Sequence, residues 1–447
     1  MSGKDNHKEE GLGRDFWWYR GGEFLSDLGS SAQTLAVAWW ILETTGSAAS
    51  MATVLVPTIL SVLVFSPLLA PLGDRFSRKK IMLWANVGLI LTVSTMAWLF
   101  LIGGMTMFLL IALSIASSFF GCLFEAGSAA VVSNLVKAEQ LQKANQSIQT
   151  LNSVVGLLGA AFGATMVATI GIEGAVLVNL GSFFASLIGI SLIQQNTKPK
   201  RENNETDETL TIKTWSEDIY LGFRALAKVR VVLALFVLIL LSNALAYPVI
   251  VLIPYLVKET LGLSPYYVGI LESALAIGAI LGATTLSFMT KRMTNYRTFF
   301  LGITLNALML LIPVVMQSYW ALVIGLMIST AGCIWINILI QTQITVAVPD
   351  HFRSRILSSL GIVSGLAIPV GIALAGPLTD HFGAWSTFFA LAALSALVVP
   401  LYALIPNIAT FFNTPAEEVG EWMNKTYPDA FDGETETSEA KPAEQVS

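Results

Sequence analysis

Charged residues and cysteines are scarce in this 447-residue sequence. Lys, Arg, Asp and Glu make up 12% of the chain, about half their usual share in a soluble domain, so an ordinary soluble fold is excluded. The two cysteines, Cys122 and Cys333, both lie inside apolar runs. This rules out a disulfide framework and a cysteine metal cluster.

Motifs for catalysis and nucleotide binding are also missing. The sequence has no Gly-Lys-Ser or Gly-Lys-Thr phosphate loop, and no nucleophile with a base and an orienting group stands out. The net charge of -5 comes largely from the acidic stretch after Phe412 and does not indicate a nucleic-acid partner. We therefore expect no enzyme activity, no cofactor, no metal and no nucleic-acid binding.

Long apolar segments dominate the chain instead. Hydrophobic residues make up 54% of it, and its 35 glycines are scattered through the apolar runs. Runs of this length predict membrane helices, whereas barrel strands would be short and alternating. Twelve spans are predicted, at 17–41, 49–72, 80–102, 105–136, 145–170, 172–193, 231–257, 265–289, 298–317, 319–348, 355–380 and 385–405.

Composition divides the chain into a polar arm, a first six-helix half, a polar linker, a second six-helix half and an acidic tail. Their bounds are 1–16, 17–194, 195–230, 231–412 and 413–447. Within the linker, the stretch from Trp215 to Ala227 has apolar residues at helical spacing and predicts an amphipathic helix on the membrane surface. A shift of the sequence by 216 places Asp27 on Asn243 and Gly46 on Gly262. This internal repeat predicts two parallel, pseudo-symmetric halves in an all-α membrane protein.

The distribution of Lys and Arg predicts the orientation in the membrane. Of the 25 Lys and Arg, only Lys258 is expected outside, and the others are assigned to the arm, the linker, the tail and the loops after spans 2, 4, 8 and 10. By the positive-inside rule both termini are cytosolic. We expect a monomer that crosses the lipid bilayer of the cell inner membrane several times.

A charged loop separates span 2 from span 3, with the sequence Gly73-Asp74-Arg75-Phe76-Ser77-Arg78-Lys79-Lys80. The positive-inside rule explains the basic residues but not Asp74, because a carboxylate at this depth needs a defined partner. We expect a conformational gate formed by Asp74, Arg75 and Arg78.

The Asp-Arg-x-x-Arg-Lys pattern of this loop resembles the signature of the major facilitator superfamily of secondary transporters. The similarity is greatest to the branch that contains macrolide efflux pumps and siderophore exporters. Ala70 and Ser77 stand where that signature usually has glycine, and Thr290-Lys291 replaces Asp-Arg in the second half. The resemblance implies that spans 1, 4, 7 and 10 line a central cavity.

Three intramembrane acids are candidates for proton coupling, because such acids are costly and commonly functional. They are Asp27 in span 1, Glu125 in span 4 and Glu272 in span 8. Asp27 could also be an acid that reaches the cytosolic interface, Glu125 a buried structural partner, and Glu272 a rim residue or an outer gate element.

Amide and aromatic side chains in spans 7 and 10 are candidates for the substrate cavity: Asn243, Tyr247, Trp335, Asn337 and Gln341. Together they suit a bulky, partly polar ligand with a large apolar body. The alternative is structural, because Trp and Tyr fill cores and amides join helices.

The resemblance implies a secondary transporter that exports a small molecule, either a siderophore or an amphipathic drug such as a macrolide, in exchange for protons. Gly156, Gly159 and Gly163 in span 5 partly match the signature of proton-driven drug exporters, but Ala160 replaces its proline. A carrier or flippase of lysophospholipid or another amphiphile is the alternative within this fold. A membrane-embedded enzyme or a receptor without transport is the alternative from another class.

Overall fold

The computed structural model describes residues 12–195, 197, 228–347 and 350–427. Most of the predicted arm and linker, the predicted helix from Trp215 to Ala227 and the end of the tail lie outside these residues. The chain forms two compact units. The first unit comprises Met1–Glu208 and Val251–Ser273, and the second comprises Thr209–Ile250 and Ala274–Ser447.

Five long helices form the main part of the first unit. They are α1 (Arg14–Thr45), α2 (Ala48–Arg75), α3 (Arg78–Leu101), α4 (Met107–Leu135) and α5 (Leu141–Ser191), with a 3₁₀ turn at Ala138–Gln140. Helix α5 has 51 residues because it contains two consecutive spans, joined at Gly171 with a φ of 76°. This left-handed conformation favours glycine, and the junction lies where the sequence predicts the turn between spans 5 and 6.

The turn between α1 and α2 follows directly from its residues. Gly46 ends α1 with a φ of 60°, and its N–H donates to the carbonyl oxygen of Leu42 at 2.9 Å. The hydroxyl of Ser47 then accepts the N–H of Ser50 at 3.1 Å and caps α2. Two adjacent residues therefore stop one helix and start the next.

The helices that follow α5 along the chain lie mostly in the second unit. In chain order they are α6 (Arg230–Ala246), α7 (Val249–Tyr255) with a π-helical turn (Leu256–Thr260), α8 (Pro265–Arg292), α9 (Asn295–Leu308), α10 (Leu311–Met316), α11 (Tyr319–Ala347), α12 (Asp350–Phe382), α13 (Ala384–Ala403), α14 (Ile408–Asn413) and α15 (Ala416–Thr426). Helices α7 and α8 each begin in one unit and end in the other, because Val251–Ser273 belongs to the first unit.

Within the described residues, nine helical segments are long and apolar enough to cross a membrane. One of them is α5, which covers two predicted spans. Helices α1 and α12 cover predicted spans 1 and 11, so every one of the twelve predicted spans corresponds to helix.

The chain after span 12 packs onto the second unit. Val419 and Met423 on α15 are both fully buried, in the same cluster as Phe412 of α14. The side-chain amide of Gln343 on α11 donates to the carbonyl oxygens of Phe412 at 3.0 Å and Thr414 at 3.3 Å. The region predicted as an acidic tail from 413 onwards therefore begins with a docked amphipathic helix, whose glutamates lie on the exposed face.

Met423→Ala is expected to destabilise the second unit by about 2–5 kcal/mol, because it removes a fully buried side chain and leaves a cavity. Thermal unfolding of the detergent-solubilised protein measures this loss. Glu421→Ala on the exposed face of α15 is the matched control and should leave the unfolding temperature unchanged. Equal unfolding temperatures for both variants would show that α15 contributes nothing to the fold.

Candidate functional site

Helix α1 packs closely against both halves of α5. A Cβ at Gly163, in the first half of α5, would lie 2.8 Å from the carbonyl oxygen of Ser31 on α1. A Cβ at Gly22 on α1 would lie 2.9 Å from the Cα of Ser186, in the second half of α5. Glycine permits these approaches because it has no side chain. The polar side chains of α1 therefore have neighbours at fixed positions.

A buried arginine lies at this helix junction. Arg20 is only 1% exposed, and its guanidinium donates to the carboxylate of Glu23 and to the side-chain oxygen of Asn152. It also donates to the carbonyl oxygen of Ile148 at 3.2 Å. A buried charge is tolerated only when it is paired and hydrogen-bonded. The hydrogen bonds of Arg20 to Asn152 and Ile148 thus tie α1 to the first half of α5, and Glu23 on α1 balances the charge of the guanidinium.

Asp27 lies one helical turn beyond Glu23 and is half-buried. Its carboxylate is close enough to those of Glu23 and Glu125 for electrostatic interaction, and Glu125 interacts with Glu23 in the same way. We call Glu23, Asp27 and Glu125 the carboxylate cluster. The structure therefore brings together two of the three acids that the sequence proposes for proton coupling, and adds a third that the sequence analysis missed.

The carboxylate cluster has a mixed environment. Glu125 on α4 is exposed, whereas Glu23 is mostly buried against Arg20. On the adjoining turn of α4, the hydroxyl oxygen of Ser128 lies 3.2 Å from that of Tyr19. Among the residues that the structure describes, no group of three or more His, Cys, Asp or Glu is arranged to hold a metal ion.

The predicted distribution of positive charge is wrong for Arg20. The positive-inside rule assigns it to the cytosolic Lys and Arg outside the spans, but it lies inside α1 and is almost completely buried. The spacing of Arg20 and Glu23 by three residues, within an apolar run, is the sequence signal that indicates such an intrahelical ion pair.

The charged loop after span 2 contacts the end of span 4. Arg78 donates from its guanidinium to the side-chain oxygen of Asn134 and from its backbone N–H to the carbonyl oxygen of Thr197 at 3.2 Å. Arg75 ends α2 and is exposed. Asp74 lies in the last turn of α2, and its side chain is outside the described part of the chain.

The same loop also holds the end of α5. The ammonium of Lys79 donates to the carbonyl oxygens of Ser191 at 2.8 Å and Ile193 at 2.6 Å. Cations near the C-terminus of a helix satisfy its free carbonyl groups and its dipole. The loop therefore clamps spans 4 and 6 at one end of the first unit.

Glu272 lies apart from the carboxylate cluster. It is half-buried in α8 and has no hydrogen bond or ion pair with another described residue. No electrostatic interaction within the described chain links it to Asp27 or Glu125.

The candidate cavity residues of the second unit fall into two groups. Asn337 and Gln341 are exposed on one face of α11, Tyr247 is 44% exposed, and Asn243 is half-buried at the end of α6. Trp335 is 6% exposed, and its indole N–H donates to the carbonyl oxygen of Gly282 on α8 at 2.9 Å. The structure thus places Trp335 between packed helices, which agrees with the alternative that aromatic residues of these spans fill the core.

Comparison with known proteins places these features in a family. The family model described as "Transmembrane secretion effector" matches residues 15–419. The multidrug efflux pump Tap of Mycolicibacterium fortuitum is 25% identical over 393 residues, which cover 85% of this chain and 93% of that protein. Macrolide efflux protein A of Streptococcus pyogenes is 24% identical over 382 residues, which cover 82% and 90%.

Solved transporter structures share the fold at low sequence identity. A bacterial homologue of the human lysosomal transporter Spinster has a TM-score of 0.64 and 14% identity, covering 94% of this chain and 99% of that one. The nucleoside transporter NupG has a TM-score of 0.67 and 14% identity, covering 88% and 99%. The predicted all-α fold of twelve membrane helices in two six-helix halves is confirmed.

Proposed function

Because the chain belongs to the transmembrane secretion effector family of the major facilitator superfamily, we propose that it exports amphipathic small molecules in exchange for protons. Its membership of the efflux branch makes it a multi-pass membrane transporter and not an enzyme. Family membership gives the transport function. Proton coupling, the substrate class and the monomeric state are proposed in addition to it.

The carboxylate cluster carries the proposal of proton coupling. Three acids of membrane helices interact electrostatically with one another, and Arg20 is already engaged by Glu23, Asn152 and Ile148. This leaves Asp27 and Glu125 as acids whose charge can change during a transport cycle. Acids within the bilayer are costly and usually serve transport or proton transfer.

The substrate proposal rests on relatives and on chemistry. The two relatives are named for efflux of multiple drugs and of macrolides. An amphipathic organic molecule with a cationic group would match the acids of the first unit. A siderophore is the other substrate class in this proposal.

In this proposal both termini are cytosolic and the membrane is the cell inner membrane. The loop of Asp74, Arg75 and Arg78 then lies on the cytosolic side and controls the spans that it clamps. Lys79 and Arg78 support this role, because they hold the ends of two other spans.

The proposal is tested with the purified protein in liposomes whose lumen is acidified. We expect the imposed pH gradient to drive accumulation of a labelled macrolide in the lumen, and an ionophore that collapses the gradient to abolish it. Protein-free liposomes correct for passive trapping of this basic drug. Accumulation that is the same with and without the gradient would refute proton exchange.

The substrate class is tested in cells. A deletion strain and its parent are grown with and without iron, and their culture supernatants are compared. Iron-dependent loss of a chelator from the deletion supernatant would assign a siderophore, whereas drug sensitivity without such a loss would assign the amphipathic drug class.

A further inference from the structure

Lys258 forms an unusual contact at the end of span 7. It lies on the π-helical turn Leu256–Thr260, within the part of span 7 that belongs to the first unit. Its ammonium lies 5.0 Å from the centre of the Trp39 ring on α1 and donates to the carbonyl oxygen of Trp39 at 3.2 Å. Lys258 is also the one Lys or Arg that the sequence predicts on the outer side of the membrane.

Two acids give this ammonium a second set of partners. Glu43 lies one helical turn beyond Trp39, and Glu259 follows Lys258 directly. Both are exposed, and both interact electrostatically with Lys258. Exposed ion pairs form and break at little cost. Lys258 can therefore leave Trp39 without losing every partner.

A close helix contact accompanies this interaction. A Cβ at Gly269 on α8 would lie 2.6 Å from the Cβ of Ala164 and 3.3 Å from the Cα of Ala161, both on α5. Spans 7 and 8 continue from here into the second unit, which begins again at Ala274. A movement of spans 7 and 8 away from spans 1 and 5 must therefore separate these contacts.

We propose that Lys258 and Trp39 form a latch that holds spans 7 and 8 against spans 1 and 5 and opens when cargo leaves on that side of the membrane. The inference rests on the proposed transport function but not on its proton coupling. π-Helical turns are frequent at functional sites. A partly desolvated cation–π contact biases a two-state equilibrium about tenfold, which favours one state without making it permanent.

Cysteine labelling in intact cells tests the latch. Ala164→Cys is introduced into a variant with Cys122→Ser and Cys333→Ser, because Ala164 is fully buried under Gly269. We expect Lys258→Met to raise the rate of labelling by a membrane-impermeant maleimide about tenfold. Lys258→Arg should leave the rate near that of the parent, because a guanidinium also stacks on an aromatic ring. Trp39→Leu should raise the rate less than Lys258→Met, because residue 39 keeps the carbonyl oxygen that accepts from Lys258, and the double variant should match Lys258→Met.

Thr44→Cys, at the exposed end of α1, is the control for access and orientation. If it is labelled and Lys258→Met does not speed the labelling of Ala164→Cys relative to the parent, the latch is refuted. If Thr44→Cys is not labelled, the proposed orientation is wrong, and the same comparison in inside-out vesicles decides the latch. Because labelling requires neither cargo nor a pH gradient, failure of proton coupling leaves this result intact.

Discussion

Asp27→Asn and Glu125→Gln are each expected to abolish uphill export. Desolvation favours the protonated form of a carboxylic acid, and hydration or a bound cation favours the carboxylate, so an acid that alternates between these surroundings can load and release a proton. Asn and Gln resemble the protonated acid in size and polarity but cannot lose a proton. Gradient-driven accumulation in liposomes should therefore fall to the level of protein-free liposomes.

Downhill exchange separates coupling from binding in these variants. With cargo on both sides and no pH gradient, both amides should retain exchange, because binding and rearrangement do not require net proton transfer. Glu173→Gln, at an exposed position just after Gly171, is the matched control and should keep uphill export. Gradient-dependent export that persists in both amides would exclude these acids as proton carriers and direct attention to Glu272.

Most of the fold could be predicted because its determinants are local. A membrane helix is specified by the length of an apolar run, and a turn by one or two residues with special backbone chemistry. Gly46 with Ser47 and the glycine at 171 are such residues, and helices end or turn there. Spans 7 and 9 differ from the prediction, because each is divided into two shorter helices, α6 with α7 and α9 with α10.

Features that depend on distant partners could not be predicted in this way. Arg20 follows the polar arm by only a few residues, and its burial depends on Ile148 and Asn152, 128 and 132 positions away. Helix α15 has many acids, and its docking depends on Phe412 and on Gln343 of another helix. Trp335 is similar, because its indole N–H is engaged by the backbone of α8.

The candidate site could be predicted only in part. The free-energy cost of an acid within the membrane marks that acid as a functional candidate, but it does not identify the acid's neighbours. Asp27 and Glu125 were found from their polarity within apolar runs, and the structure places them near each other. Glu23 is not among the sequence candidates, although it lies one helical turn from Asp27 and pairs with Arg20. The ion pair with Arg20 distinguishes Glu23 from Asp27 and Glu125.

Arg20→Met is expected to destabilise the first unit by about 3–5 kcal/mol, because it leaves the mostly buried Glu23 without its counter-ion. Glu23→Gln should cost less, since the guanidinium keeps Asn152 and Ile148 as partners. Unfolding of the solubilised variants by heat measures both losses. Equal stability of Arg20→Met and the parent would show that Arg20 does not hold α1 to α5.

The double variant Arg20→Met with Glu23→Met separates a structural pair from a coupling pair. It should recover most of the lost stability, because apolar residues of similar length replace a buried pair in which the Nε of Arg20 has no partner among the described residues. If Asp27 and Glu125 alone carry protons, the double variant also keeps gradient-dependent export. A stable double variant that exchanges cargo downhill but ignores the gradient would instead assign proton transfer to Glu23, with Arg20 as the group that controls its charge.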